Sequence, residues 1–143
     1  MLLKYIVIIL LLTAPACGKA PAVRVQELLY KFEDDAARYS LHVDTDTLTV
    51  KFVDTIDGRF VGACLLITRE IWLVKSFWRR ASGANQESLM YHELGHCLLD
   101  RGHNDNNNGP YGLPSSIMRR TGLQGDVYET YRDYYLKELF QGG

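Results

Sequence analysis

The chain has little of what usually marks a specialised class. Of its 143 residues, 3 are cysteine, 4 are proline and 2 are tryptophan. Three cysteines leave room for one internal bridge at most. Basic residues number 16 and acidic residues 17, a formal net charge of -1. Without a basic excess, a protein whose main task is to coat nucleic acid is disfavoured, and no nucleic-acid partner is expected. The charged fraction of 23% and the aromatic fraction of 11% argue against a disordered tail. The near-unbroken apolar run from Tyr5 to Leu12 falls short of the about 20 residues a spanning helix needs. The chain as a whole is 47% hydrophobic, enough for one compact domain, and is too short for two of ordinary size. Histidine is also scarce, yet three of the four, His92, His96 and His103, fall within twelve consecutive residues. His42 has no such setting and reads as an ordinary side chain.

The first residues read as an address. Lys4, the apolar run and the small residues Thr13-Ala14-Pro15-Ala16 before Cys17 have the outline of a bacterial secretory signal. A short membrane anchor or a buried N-terminal helix is the alternative. The cysteine after Ala14-Pro15-Ala16 resembles the lipobox of bacterial lipoproteins, with Ala14 where that pattern usually has Leu. The resemblance implies a signal peptide over 1–16, acylation of Cys17, a lipidated tether over 17–22 and a folded domain over 23–143. Several acyl chains would hold such a protein on a membrane surface. Gly18, rather than an acidic residue, implies an exported protein at the outer membrane or cell surface.

Beyond the tether the pattern predicts an α+β domain. Val25, Leu28, Leu29, Phe32, Ala36 and Tyr39 recur at helical spacing from Val23 to Tyr39. Asp44 and Asp46 mark a turn. Leu48, Val50 and Phe52 alternate with polar residues as a half-buried strand does. Phe60 to Ile67 is a candidate buried strand, turned at Thr68-Arg69 into a partner strand over Ile71 to Val74. A second helix from about Ala84 carries Leu89, Met90, Leu94, Cys97 and Leu98. The segment Asn104 to Ser116 reads as a loop. A last helix over Asp126 to Phe140 has Asp126 as its N-cap. The expected architecture is an N-terminal helix, a short three-stranded mixed sheet, a site-bearing helix, a loop and a C-terminal helix.

Residues 92–96 read His92-Glu93-Leu94-Gly95-His96, an H-E-x-x-H pattern within a helix. Residues four apart share one helix face, so two imidazoles can grip one metal ion. Glu93, offset from that face, can reach a water on the same ion. Zinc with three protein ligands keeps a position for water and lowers its pKa to ~7, and Glu93 would serve as the general base. For the third ligand, Asp100 lies on the right face but ~6 Å farther along the helix. Gly102 can take the left-handed conformation that ends a helix and fold His103 back, so His103 is favoured over Asp100.

These residues resemble the metzincin clan of zinc endopeptidases, whose pattern is H-E-x-x-H-x-x-G-x-x-H followed by a methionine turn. Ser116-Ile117-Met118 is similar to that turn, which implies that Met118 forms an apolar floor beneath the metal. The chain departs from the clan at two places: Leu99 stands where the clan has glycine, and His103 comes one residue late, which implies a longer helix before the turn. The tyrosine that some members carry after the methionine turn is absent, leaving Tyr111 as a candidate phenol. The stretch 59–118 is also similar to small bacterial lipoproteins assigned as metallopeptidases, through Gly62-Ala63-Cys64, Ile71-Trp72-Leu73 and Lys75-Ser76-Phe77-Trp78. By analogy with the clan, the hairpin over 60–74 would offer an edge to an extended peptide; the alternative is a packed core hairpin. With Cys17 acylated, Cys64 and Cys97 remain as an even pair, either bridged in an oxidising compartment or two buried thiols.

The function expected from these readings is a lipid-anchored zinc endopeptidase acting on peptide or protein substrates outside the cytoplasm. The alternatives are a non-catalytic zinc-binding or structural lipoprotein on the same scaffold, and a different metallohydrolase.

Overall fold

A computed structural model of the chain describes residues 21–142. The expected signal peptide, the acylated Cys17 and most of the tether lie outside the described residues. The first helix, α1, spans Pro21–Ala37 and so takes in the last two tether positions. Proline is accepted there because a first-turn N–H has no helical partner to lose. Val25, Leu28, Leu29, Phe32 and Ala36 form its buried stripe, at the expected spacing. After α1 the chain turns at Ser40, in the left-handed region. It is tied back where the backbone N–H and hydroxyl of Thr45 both donate to Glu33 Oε1, at 2.9 and 2.6 Å.

Three strands follow: β1 (Thr49–Val53), β2 (Gly62–Leu65) and β3 (Glu70–Val74). The sheet is mixed, in the order β1-β3-β2. β1 runs parallel to β3, with Thr49 opposite Glu70, and β2 runs antiparallel to it, with Cys64 opposite Ile71. The central strand carries the fully buried Ile71 and Leu73. The expected buried strand over Phe60–Ile67 is shorter and lies at an edge, every residue of β2 being half-buried. Arg69 at positive φ closes the hairpin near the expected Thr68-Arg69 turn.

β3 runs directly into α2 (Lys75–Arg80), a helix that the sequence pattern did not suggest. No glycine or proline separates strand from helix, so nothing punctuates the change of period. Buried Trp78 on α2 meets Phe52 of β1 edge-on, with ring centroids 5.8 Å apart. Helix α3 (Gly83–Leu99) begins after Ser82, whose hydroxyl accepts from Asn85 N–H. It crosses the centre of the molecule, with Met90, Tyr91 and Leu94 fully buried.

The long final helix divides into α4 (Gly125–Thr130) and α5 (Arg132–Gln141), with Tyr131 non-helical between them at φ -116. The Thr130 hydroxyl donates to the Asp126 carbonyl, 2.8 Å away, a back-bond of the kind that bends helices. Asp126 is not the N-cap: that position falls to Gln124, and Asp126 lies in the first turn, its Oδ1 accepting from Val127 N–H. At Gly125 a Cβ would meet Asn85 at 2.8 Å, so the glycine lets α4 seat against α3. One core unites α1, α3, α5 and the segment around Ile117 and Met118. The observed class is α+β, five helices and a small mixed sheet.

Candidate metal centre

The three clustered histidines converge. His92 and His96 project from one face of α3, with Nε2 atoms 3.1 Å apart. His103 Nε2 lies 3.2 Å from His96 Nε2, and the candidate ligand atoms of all three lie within 4.8 Å of one another. The turn that brings His103 back is made by Asp100, not Gly102. Asp100 is the left-handed C-cap (φ 52, ψ 33), and Arg101 N–H reaches back to the Gly95 carbonyl at 3.0 Å. Asp/Asn are the non-glycine residues that best tolerate this conformation. The helix therefore runs through Leu99. Asp100 borders the same cleft, but its carboxylate is not among the converging ligand atoms.

Hydrogen bonding sets the tautomers. His92 Nδ1 is 2.9 Å from the Ile117 carbonyl oxygen, and His96 Nδ1 is 2.6 Å from that of Arg101. A carbonyl only accepts, so each Nδ1 carries the proton and each neutral ring turns a bare Nε2 lone pair inward. Two facing lone pairs at this distance repel unless a cation lies between them. Nitrogens bound ~2.0–2.1 Å from a tetrahedral ion sit ~3.3 Å apart, close to the spacing found. Burial holds the His92 imidazolium down at about 4, with the Ile117 carbonyl opposing and the neighbouring histidines adding to the effect. His96 is lowered for the same first reason. Neutral imidazoles are the form that ligates metal. The donor set therefore fits a divalent ion of the nitrogen-preferring kind.

Glu93 lies beside this cluster, 4% exposed. Burial pushes its carboxyl up to about 8, opposed by a hydrogen bond from the Cys64 backbone N–H. A divalent cation on the histidines would pull that value down. The contact with β2 depends on Gly62, where a Cβ would stand 2.6 Å from Glu93 Oε1. In the β2–β3 register, Val74 N–H donates to the Val61 carbonyl at 2.9 Å. That phase turns the backbone groups of Gly62 and Cys64 away from β3, leaving the Cys64 N–H free to reach Glu93. Cys64 and Cys97 are joined by a disulfide, with Cα atoms 5.7 Å apart, so the edge strand is fastened to the helix one residue past His96.

Met118 is fully buried and packs on α3 where glycine allows it: a Cβ at Gly95 would meet Met118 Sδ at 2.5 Å. The Met118 carbonyl accepts from Asn104 N–H at 2.9 Å, tying the chain just after His103 to this turn. Tyr111 is elsewhere, 91% exposed and packed on Tyr131, and it does not line the cleft. His92, Glu93, His96 and His103 all do, in a cleft of ≈ 1200 Å³ whose apolar walls include Phe60, Leu66, Phe77 and Leu89. Arg120, two residues beyond Met118, also borders it. Gly62 and Ile117 were legible only as members of motifs, and Arg101 and Arg120 were missed: the first three act through the backbone or a missing Cβ, and Arg120 by its place on the cleft wall.

Comparison with protein-family models, with curated proteins and with solved structures finds no significant match to this chain.

Proposed function

We propose that this chain is a zinc-dependent endopeptidase of metzincin-like design, exported and held on a membrane surface through a lipid on Cys17. One observation carries the reading. The buried imidazole of His92 and the half-buried one of His96, each with its Nδ1–H committed to a carbonyl, present bare Nε2 atoms to each other and to His103, beside the buried carboxyl of Glu93. Zinc, when held there by His92, His96 and His103, supplies Lewis acidity that makes water nucleophilic near neutral pH.

The chain's own groups do the rest. Glu93 takes a proton from the attacking water onto its carboxylate and returns it to the departing amine. Its burial raises proton affinity, which suits a group that must hold a proton between two steps. The outward N–H and C=O of Gly62 border the cleft on the free edge of β2, a backbone surface suited to an extended peptide. The apolar walls favour substrates that bring apolar side chains. Met118, under Gly95, keeps the helix backbone at a fixed height relative to the ligand-bearing turn. The Cys64–Cys97 bridge accords with an oxidising compartment. Among the described residues no helix is long and apolar enough to cross a membrane, and attachment rests on Cys17.

The test is zinc content together with cleavage of denatured casein and of a mixed peptide library, comparing wild type with Glu93→Gln. The reading expects about one zinc per chain in both proteins, with cleavage reduced ~10²–10⁴-fold in the variant. A second reading, a non-catalytic zinc-binding lipoprotein, is favoured by how little of Glu93 reaches the cleft. Bound zinc with no cleavage of any peptide by wild type would select it. Cleavage confined to non-peptide amides would select a different metallohydrolase.

A further inference from the structure

The carbonyls that orient His92 and His96 both lie in backbone outside any helix or strand, at Ile117 and Arg101. Their positions depend on whatever holds those two segments. Arg101 donates from Nη1 to the carbonyl oxygens of Glu138 and Leu139, at 2.8 and 2.7 Å, and from Nη2 to Glu138 Oε1 at 2.5 Å. On the other side, the Ser116 hydroxyl donates to Glu138 Oε2 at 2.6 Å and accepts from Met118 N–H at 2.9 Å. One carboxylate on α5 thus spans the two segments, one oxygen for each. The contact is shielded, Arg101 and Glu138 side chains being 13% and 15% exposed and Ser116 fully buried.

We infer that Glu138 is a positioning residue for the metal centre, setting through Arg101 and Ser116 the carbonyls that fix the rings of His92 and His96. The inference rests on the metal-centre reading. A metal-ligating imidazole whose Nδ1 acceptor is misplaced loses orientation and basicity, and changes in such outer partners cost 10–100-fold in metal affinity. Glu138 also retains the last carbonyls of α5 through Arg101, so the end of the molecule farthest along the chain is coupled to the ligand set. A purely structural carboxylate would lower the stability of the metal-free fold and leave the intrinsic zinc affinity of folded molecules unchanged.

The experiment measures the zinc dissociation constant of the full chain by competition with a chromogenic chelator, well below the unfolding temperature of each protein. Wild type is compared with Glu138→Gln, Ser116→Ala and, as a control, Tyr128→Phe, which removes a buried hydrogen bond to Glu87 away from the histidines. The expected result is a roughly tenfold weaker affinity in Glu138→Gln, a smaller loss in Ser116→Ala and none in Tyr128→Phe. Should Glu138→Gln not fold, Ser116→Ala carries the comparison, since it cuts one side of the span alone. Wild-type affinity in both site variants, with lowered melting temperatures, overturns the positioning role and leaves the metal centre standing. A wild-type chain that binds no zinc overturns both.

Discussion

Helix α3 carries two buried polar clusters that solve burial in opposite ways. Toward its N-terminal half, Glu87 and the neighbouring Asp35 of α1 are closed by their own counter-charges. Arg132 reaches both, donating from Nε to Glu87 Oε1 at 2.7 Å and from Nη2 to Asp35. Lys31, Tyr91 and Tyr128 donate to the same two carboxylates, and Arg38 pairs with Asp35 Oδ1 at 3.2 Å. Burial would raise the Glu87 carboxyl, yet hydrogen bonds from Lys31, Arg132 and Tyr128 hold it below its ordinary value. Toward the C-terminal half, His92 and His96 meet carbonyls and one another's ring nitrogens, Glu93 meets a backbone N–H, and these groups are pushed toward neutrality instead. The first cluster is complete as a structural brace between α1, α3 and α5. The second presents bare nitrogen lone pairs to a cleft, in an arrangement that could hold a cation from outside.

That contrast can be broken by removing one member of each cluster. Arg132→Met takes the shared partner from two buried carboxylates that keep Lys31 and Arg38, and the expected loss is about 3 kcal/mol of stability, read by denaturant unfolding with and without zinc. Zinc affinity of the folded variant should stay at the wild-type value. His96→Ala should do the reverse. The metal-free variant should unfold within about 1 kcal/mol of wild type, since it loses one hydrogen bond together with two unfavourable lone-pair contacts. The stabilisation by zinc, about 4 kcal/mol at a thousandfold excess over the wild-type dissociation constant, should disappear. If both substitutions destabilise the metal-free protein equally, the contrast is wrong.

A smaller effect sharpens the same point through pH. The folded Glu93 carboxyl sits at about 8 against 4.5 when unfolded, so the native state binds the extra proton between those values and metal-free stability falls as pH rises. His92, at about 4 folded against 6.5 unfolded, works the other way: its native state is short of a proton over that window, and stability rises with pH. The lowered His96 has the same sign as His92. The contributions oppose one another between about 4.5 and 6.5, leaving Glu93 alone from 6.5 to 8. There the metal-free protein should lose up to about 1.4 kcal/mol per pH unit, a slope that Glu93→Gln abolishes and bound zinc flattens. Urea midpoints across that window give the slope.

Local periodicity made much of this legible. The spacing of His92 and His96 needs only helix geometry to put both rings on one face, and the buried stripe of α1 follows from the same arithmetic. The mixed three-stranded sheet was expected, and so was a helix that outlasts the clan's pattern. Its end was misplaced because any glycine near a helix terminus attracts the left-handed assignment, whereas the short polar side chain of Asp100 takes it. Helix α2 was missed for want of punctuation after β3, and the break at Tyr131 because a single threonine back-bond is invisible to hydrophobic pattern. The span from Glu138 to Arg101 joins positions 37 apart, and the carbonyls it steadies carry no side-chain signature. Such contacts become readable only once α5 is folded against the turn.

Whether His92, His96 and His103 form one metal site is read by zinc titration of the chelator-stripped chain. One equivalent should bind per chain in wild type and in Arg132→Met, with binding lost in His96→Ala. Equal binding by His96→Ala and wild type, or no stoichiometric binding by wild type, would contradict it.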